Sequence, residues 1–101
     1  MSHWCVYIVS NHAHTLYRGM TNDLPRRVRQ HEERTFENAF TARYTFDRLV
    51  WYEFVGSQKE AAKREKQIKA WTRAKRVALI QAQNPNWNDL SLSVPALLML
   101  D

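Results

Sequence analysis

The chain is poor in cysteine, in glycine, in acidic residues and in long apolar runs, and each shortage narrows what it can be. Cys5 is its only cysteine, which excludes an internal disulfide and fits a reducing compartment. The most apolar stretch, VPALLML at 94–100, falls far short of the roughly 20 residues that span a bilayer. No basic segment followed by an apolar run opens the chain, so nothing signals export. The expectation is a soluble, cytoplasmic protein without a membrane partner. Acidic residues number 10 against 15 basic ones, a net charge of +5, and that balance favours a polyanionic partner. There are two glycines in 101 residues, where the usual share of about 7% would supply about seven. Gly56 breaks a strand from a helix. Gly19 ends a strand, where a missing side chain lets a ligand or another backbone approach closely.

With no repeat or low-complexity tract, the length suits one domain over residues 1–90, followed by a tail at 91–101 of unassigned structure. WCVYIVS (4–10) is β-branched and aromatic, and its alternation sends Trp4, Val6 and Ile8 to one face and Cys5, Tyr7 and Val9 to the other. NHAH (11–14) turns the chain into TLYRGM (15–20), giving a hairpin. Thr21, Asn22 and Asp23 offer capping oxygens and Pro25 suits a first turn, so a helix is expected over 23–34. TFENAFTAR (35–43) reads as a loop. YTFDRLVWYEF (44–54) is apolar on both faces and reads as the central strand, with a strand on either side. Ser57 and Glu60 form a capping box that opens a helix over 58–73, and a further helix over 75–83 stops at Asn84-Pro85. The expected fold is α+β, a three-stranded antiparallel sheet flanked by helices in the order ββαβαα.

On the first helix Arg27 and His31 lie four residues apart, on one face. They flank the seam formed by Leu24 and Val28, while Arg26, Arg29 and Glu33 point elsewhere. Arg27 therefore either snorkels from the core edge or holds an anion. On the second helix, 100° per residue puts Glu65 roughly 40° from Ala61, inside a mostly apolar arc with Ile68 and Thr72. A carboxylate turned inward needs a partner or a metal. Two readings are open: an ion pair with Arg27, or a metal ligand. The rest of that helix is basic. Between residues 59 and 76 eight bases face only Glu60 and Glu65, a net +6, and so one-sided a run suits a phosphate backbone. His12 and His14 have metal-ligand spacing but no evident third ligand. Cys5 reads as a small buried hydrophobe.

In their order and spacing these residues resemble a GIY-YIG nuclease domain, most closely the small stand-alone members of that family. CVY (5–7) and YRG (17–19) stand for the two naming triplets, and TNDLPRRVRQH (21–31) is similar to the family's first-helix segment. FTARYTFDRLVWYE (40–53), REKQIKAW (64–71) and NPNWNDL (84–90) extend the likeness over residues 4–90. Cys5 replaces the first triplet's glycine, and Arg18 replaces an aliphatic residue of the second.

The resemblance implies a metal-dependent DNA endonuclease. Tyr7 and Tyr17 would line the site, one helping to activate water and the other contacting the phosphate. Arg27 would hold the scissile phosphate, His31 would act as an acid–base or orienting group, and Glu65 would bind one divalent cation, Mg2+ or Mn2+. Gly19, Arg18, Arg27, Lys63, Lys66, Lys69, Arg73 and, after the last helix, Asn84 would contact nucleic acid. With no attached DNA-binding module, such a domain would cut with little sequence preference, read structured or damaged DNA, or take specificity from a protein partner. A nucleic-acid-binding module without turnover is the competing class, and a structural or adaptor domain with a fortuitously basic helix is a third.

Overall fold

A computed structural model describes residues 3–33 and 48–91, with residues 31–33 described by backbone alone. Its elements are β1 (Cys5–Ser10), β2 (Leu16–Thr21), α1 (Leu24–Glu33), β3 (Arg48–Phe54), α2 (Gln58–Ala70) and α3 (Arg73–Gln83). The three strands form one antiparallel sheet in the order β2-β1-β3, so the α+β expectation and the ββαβαα order hold. The loop expected at 35–43 and the tail at 91–101 lie largely outside the described residues, as does the strand start at 44–47.

One expectation is overturned: β1, not β3, is central. All six residues of β1 are buried. The apolar character of β3 has a different cause, because helices cover both faces of the sheet. On one face Cys5, Tyr7, Val9 and Leu49 pack with Leu24 and Val28 of α1. On the other, Val6, Ile8, Val50 and Trp51 pack with Ala61, Ile68, Ile80 and Trp87. The alternation expected for β1 is therefore observed. A register shift between Ile8 and Val9 lets β1 skip Val50, since Ile8 faces Trp51 and Val9 faces Leu49. That bulge brings both Val50 and Trp51 into the α2–α3 cluster. Full burial of a side chain such as Ile8 or Ile68 contributes about 1.5–3 kcal/mol.

The β1–β2 turn is organised by Asn11, whose buried carboxamide oxygen accepts the amides of Ala13 and Thr15 at 3.0 and 2.9 Å. His14 turns there with φ 61 and stacks on Trp87 at 4.2 Å. At the start of α2, Ser57 Oγ accepts the Glu60 amide at 3.2 Å, while Glu60 Oε2 accepts the Gly56 amide at 2.9 Å. The Ser57 half of the expected capping box is thus made, while Glu60 reaches one residue further back, to the Gly56 amide instead of that of Ser57.

α2 ends at Ala70, three residues before its expected limit. Trp71 is extended (ψ 155) and Thr72 caps α3, its Oγ1 accepting the Lys75 amide at 3.2 Å. Thr72 is exposed instead of joining the apolar arc. Residues 84–90 fold back on the sheet. Trp87 enters the core, and the Leu90 amide donates to the Leu49 carbonyl at 2.8 Å. None of the helices among the described residues is long and apolar enough to cross a membrane.

Candidate active site

The β1–β2 register sets the site. Tyr7 faces Gly19, Val9 faces Tyr17 and Cys5 faces Thr21. Alternation then sends Tyr17, Gly19 and Thr21 to the α1 face, and Leu16, Arg18 and Met20 to the α2 face.

On the α1 face Gly19 has a specific reason. A Cβ there would lie 2.5 Å from Tyr7 Oη and 2.7 Å from Cζ. The close approach anticipated at this glycine is made by a neighbouring ring. Tyr7 is correspondingly buried, whereas Tyr17 is 46% exposed.

The turn into α1 is built from its own oxygens. Thr21 Oγ1 accepts the Asp23 amide at 3.0 Å, Asp23 Oδ1 accepts the Arg26 amide at 3.3 Å, and the Asp23 carbonyl accepts the Arg27 amide at 3.1 Å. Leu24 and Val28 are buried, so Arg27 is carried half-buried beside the seam while Arg26 and Arg29 stay exposed. Arg27 lines a polar cleft of about 280 Å³ with Thr21, Asn22, Asp23, Arg26 and Gln30. His31 belongs to α1, and its side chain lies outside the described residues.

Glu65 approaches from the other side of the sheet. Its ion partner is Arg18, with Nε 3.6 Å from Oε1 and side chains 27% and 26% exposed. The alternative of a Glu65–Arg27 pair is therefore replaced by Glu65–Arg18, because Arg18 is the β2 side chain that turns toward α2. The edge strand β2 stands between the Tyr17 and Arg18–Glu65 sides. A ligand touching both must straddle that edge.

Among the described residues no three His, Cys, Asp or Glu side chains cluster as a metal cage, so the His12–His14 spacing marks no such site. Glu65 offers one hard, partly exposed oxygen donor. That suits a cation that keeps most of its waters and needs only one or two protein carboxylates, as Mg2+ does.

The basic run divides sharply. Arg64 Nε pairs with Glu53 Oε1 at 3.1 Å, and its guanidinium lies over the rings of Trp51 and Trp71. Arg76 donates to the Ile68 and Lys69 carbonyls at 3.1 and 2.9 Å. Arg73 donates to the His14 carbonyl at 2.8 Å. Lys63 lines a second cleft, of about 340 Å³, with Glu53 and Glu60, on the side of α2 away from Glu65. Lys66 and Lys69 are exposed, Lys69 on the same side of the helix as Glu65 and Lys66 about 100° round from it.

Asn84 is buried at 4% exposure. Its Nδ2 donates to the carbonyls of Val50 and Asn88 at 3.0 and 2.9 Å, and Oδ1 accepts the Asn88 amide at 3.0 Å. Its amide group is occupied in holding the bulged β3 to residues 84–88, which overturns the expected nucleic-acid contact. Burial pushes the Cys5 thiol up to about 12, so it stays neutral and inert.

Sequence reasoning missed the Arg18–Glu65 pair, although a signal was present: Arg18 shares strand parity with the apolar Leu16 and Met20.

The family model described as the GIY-YIG catalytic domain matches residues 3–78. The chain belongs to the GIY-YIG family. Tyr7, Tyr17, Arg27, His31 and Glu65 all fall inside the matched segment, and Asn84 falls outside it. A UPF0213 protein of Clostridium perfringens is 36% identical over 83 residues, spanning 78% of this chain and 84% of that one. One from Haloquadratum walsbyi is 39% identical over 77 residues, spanning 75% and 84%. The solution NMR structure of a UPF0213 protein from Bacillus halodurans superposes with a TM-score of 0.53 at 26% identity, covering 88% of this chain and 93% of that one. The GIY-YIG domain is a nuclease fold, so at family level the chain has the framework of a phosphodiester hydrolase.

Proposed function

We propose that this GIY-YIG domain is a divalent-metal-dependent endonuclease that hydrolyses phosphodiester bonds of structured or damaged DNA with little sequence preference. The observation that carries this reading is Arg27, half-buried at a polar cleft of about 280 Å³ on the same sheet face as Tyr7 and Tyr17. A guanidinium held there binds a phosphate by two parallel hydrogen bonds and stabilises negative charge as it develops. Tyr17, open to solvent, reaches the same phosphate, and the buried Tyr7 holds the β1–β2 surface in shape beside it. His31 serves as an acid–base or orienting group. Glu65 would hold Mg2+ or Mn2+, which when bound neutralises phosphate charge and acidifies its water. Lys66 and Lys69 neutralise flanking phosphates, which makes affinity fall with salt.

One observation favours the second reading, a binding module without turnover: Arg18 already neutralises Glu65. The two readings separate in a nicking assay on supercoiled plasmid with Mg2+. Arg27→Ala is expected to slow nicking about 100-fold or more, the usual effect of losing one transition-state donor, while plasmid affinity changes far less. Equal nicking by wild type and Arg27→Ala would overturn the assignment of Arg27.

A further inference from the structure

We propose that Arg18 is the resident cation of the Glu65 site, so that a divalent ion binds Glu65 only by displacing a guanidinium. This rests on the reading of Glu65 as a cation ligand.

Three observations support it. Arg18 occupies a row of β2 whose other members, Leu16 and Met20, pack in the apolar α2–α3 cluster. A cation in such a row is costly without a counter-charge, and Glu65 is the carboxylate facing it. The contact is also incomplete. Nε of Arg18 is shut off from solvent and has no hydrogen-bond acceptor, because Glu65 Oε1 stands 3.6 Å away, beyond hydrogen-bond reach. The pair neutralises charge without the directional bond that would lock it, so it yields to a stronger cation. Finally, Lys69 lies four residues on from Glu65, on the same side of α2. The single carboxylate therefore has Arg18 against it and Lys69 on its own helix face, which works against a doubly charged ion.

The consequence is low divalent-ion affinity in the free protein, set by Arg18. Removing one positive charge within a few ångströms of a bound divalent ion raises its affinity about tenfold at near-aqueous dielectric.

The test is Mn2+ binding in the absence of DNA, followed by loss of the free-ion paramagnetic resonance signal, at about 0.1 M salt. Wild type is compared with Glu65→Gln, with Arg18→Met, which keeps the side chain's bulk, and with Arg18→Met/Glu65→Gln. Circular dichroism checks the fold, and Arg18→Gln replaces Arg18→Met if the latter does not fold. The expected result is about tenfold tighter Mn2+ binding by Arg18→Met, with the gain abolished by Glu65→Gln. Equal or weaker binding by Arg18→Met, while Glu65→Gln still weakens it, overturns the role of Arg18 and leaves the nuclease reading standing. No dependence on Glu65 in either background overturns both this inference and the metal role of Glu65.

Discussion

Two residues show how a single side chain decides what surrounds it. Gly19 is glycine because the Tyr7 ring lies where a Cβ would go, 2.5 Å from Oη. That ring is rigid and buried, so it cannot swing aside cheaply. Gly19→Ala is therefore expected to destabilise the fold by about 1–3 kcal/mol, the usual cost of overpacking. Thermal unfolding measures it, and the cost should shrink in a Tyr7→Leu background, where the obstructing ring is gone. Strictly additive effects of the two substitutions would contradict the close approach. Cys5, two residue pairs along the same strands, is the opposite case. Its side chain packs in the α1-side core cluster, and burial pushes the thiol up from 9.0 to about 12. Between those two values the native chain keeps a proton that the unfolded chain releases. Its contribution to stability is complete below pH 9.0 and fades as pH rises through that window.

At the scale of elements, the joint between α2 and α3 is sharper than its sequence pattern. The apolar period runs on through Trp71 and Thr72, which is why one helix appears to continue to 73. The break is decided by hydrogen bonds that periodicity does not register. Thr72 Oγ1 takes the Lys75 amide at 3.2 Å, and Arg76 covers the last α2 carbonyls, those of Ile68 and Lys69. Thr72→Ala should cost about 1 kcal/mol through the lost cap, read by denaturant unfolding, with Thr72→Ser restoring most of it. An unchanged midpoint for Thr72→Ala would mean that packing of Trp71 alone sets the break. The β3 bulge is a second joint of this kind. Skipping Val50 leaves its carbonyl outside the ladder, and Asn84 supplies the missing donor at 3.0 Å. Asn84 thus has a structural task that its place after the last helix did not reveal.

Across the whole molecule, what was legible in the sequence is what depends on local pattern. The β1 alternation, the Ser57 cap, the Leu24–Val28 seam and the inward lean of Glu65 all follow from spacing, and all are observed. Strand order did not follow, because an apolar β3 is compatible with a central strand and with an edge strand covered on both faces. Nor did Glu65's partner follow. Choosing Arg18 over Arg27 requires knowing which face of the sheet each helix covers. The same topology divides the charges. Arg64 and Arg76, and in part Arg73, brace the fold, leaving Lys66 and Lys69 among the exposed bases of α2. It also separates the site into an Arg27–Tyr17 side and an Arg18–Glu65 side, joined across the edge of β2. If that edge is where a phosphodiester is cut, loss of the carboxylate must abolish hydrolysis although it lies across the strand from Arg27. The direct measurement is nicking of supercoiled plasmid in Mg2+ by wild type and by Glu65→Gln purified in parallel. Conversion to open circles by wild type, with at least about 100-fold slower conversion by Glu65→Gln, is the expected result. Equal rates, or no metal-dependent conversion by wild type, would contradict it.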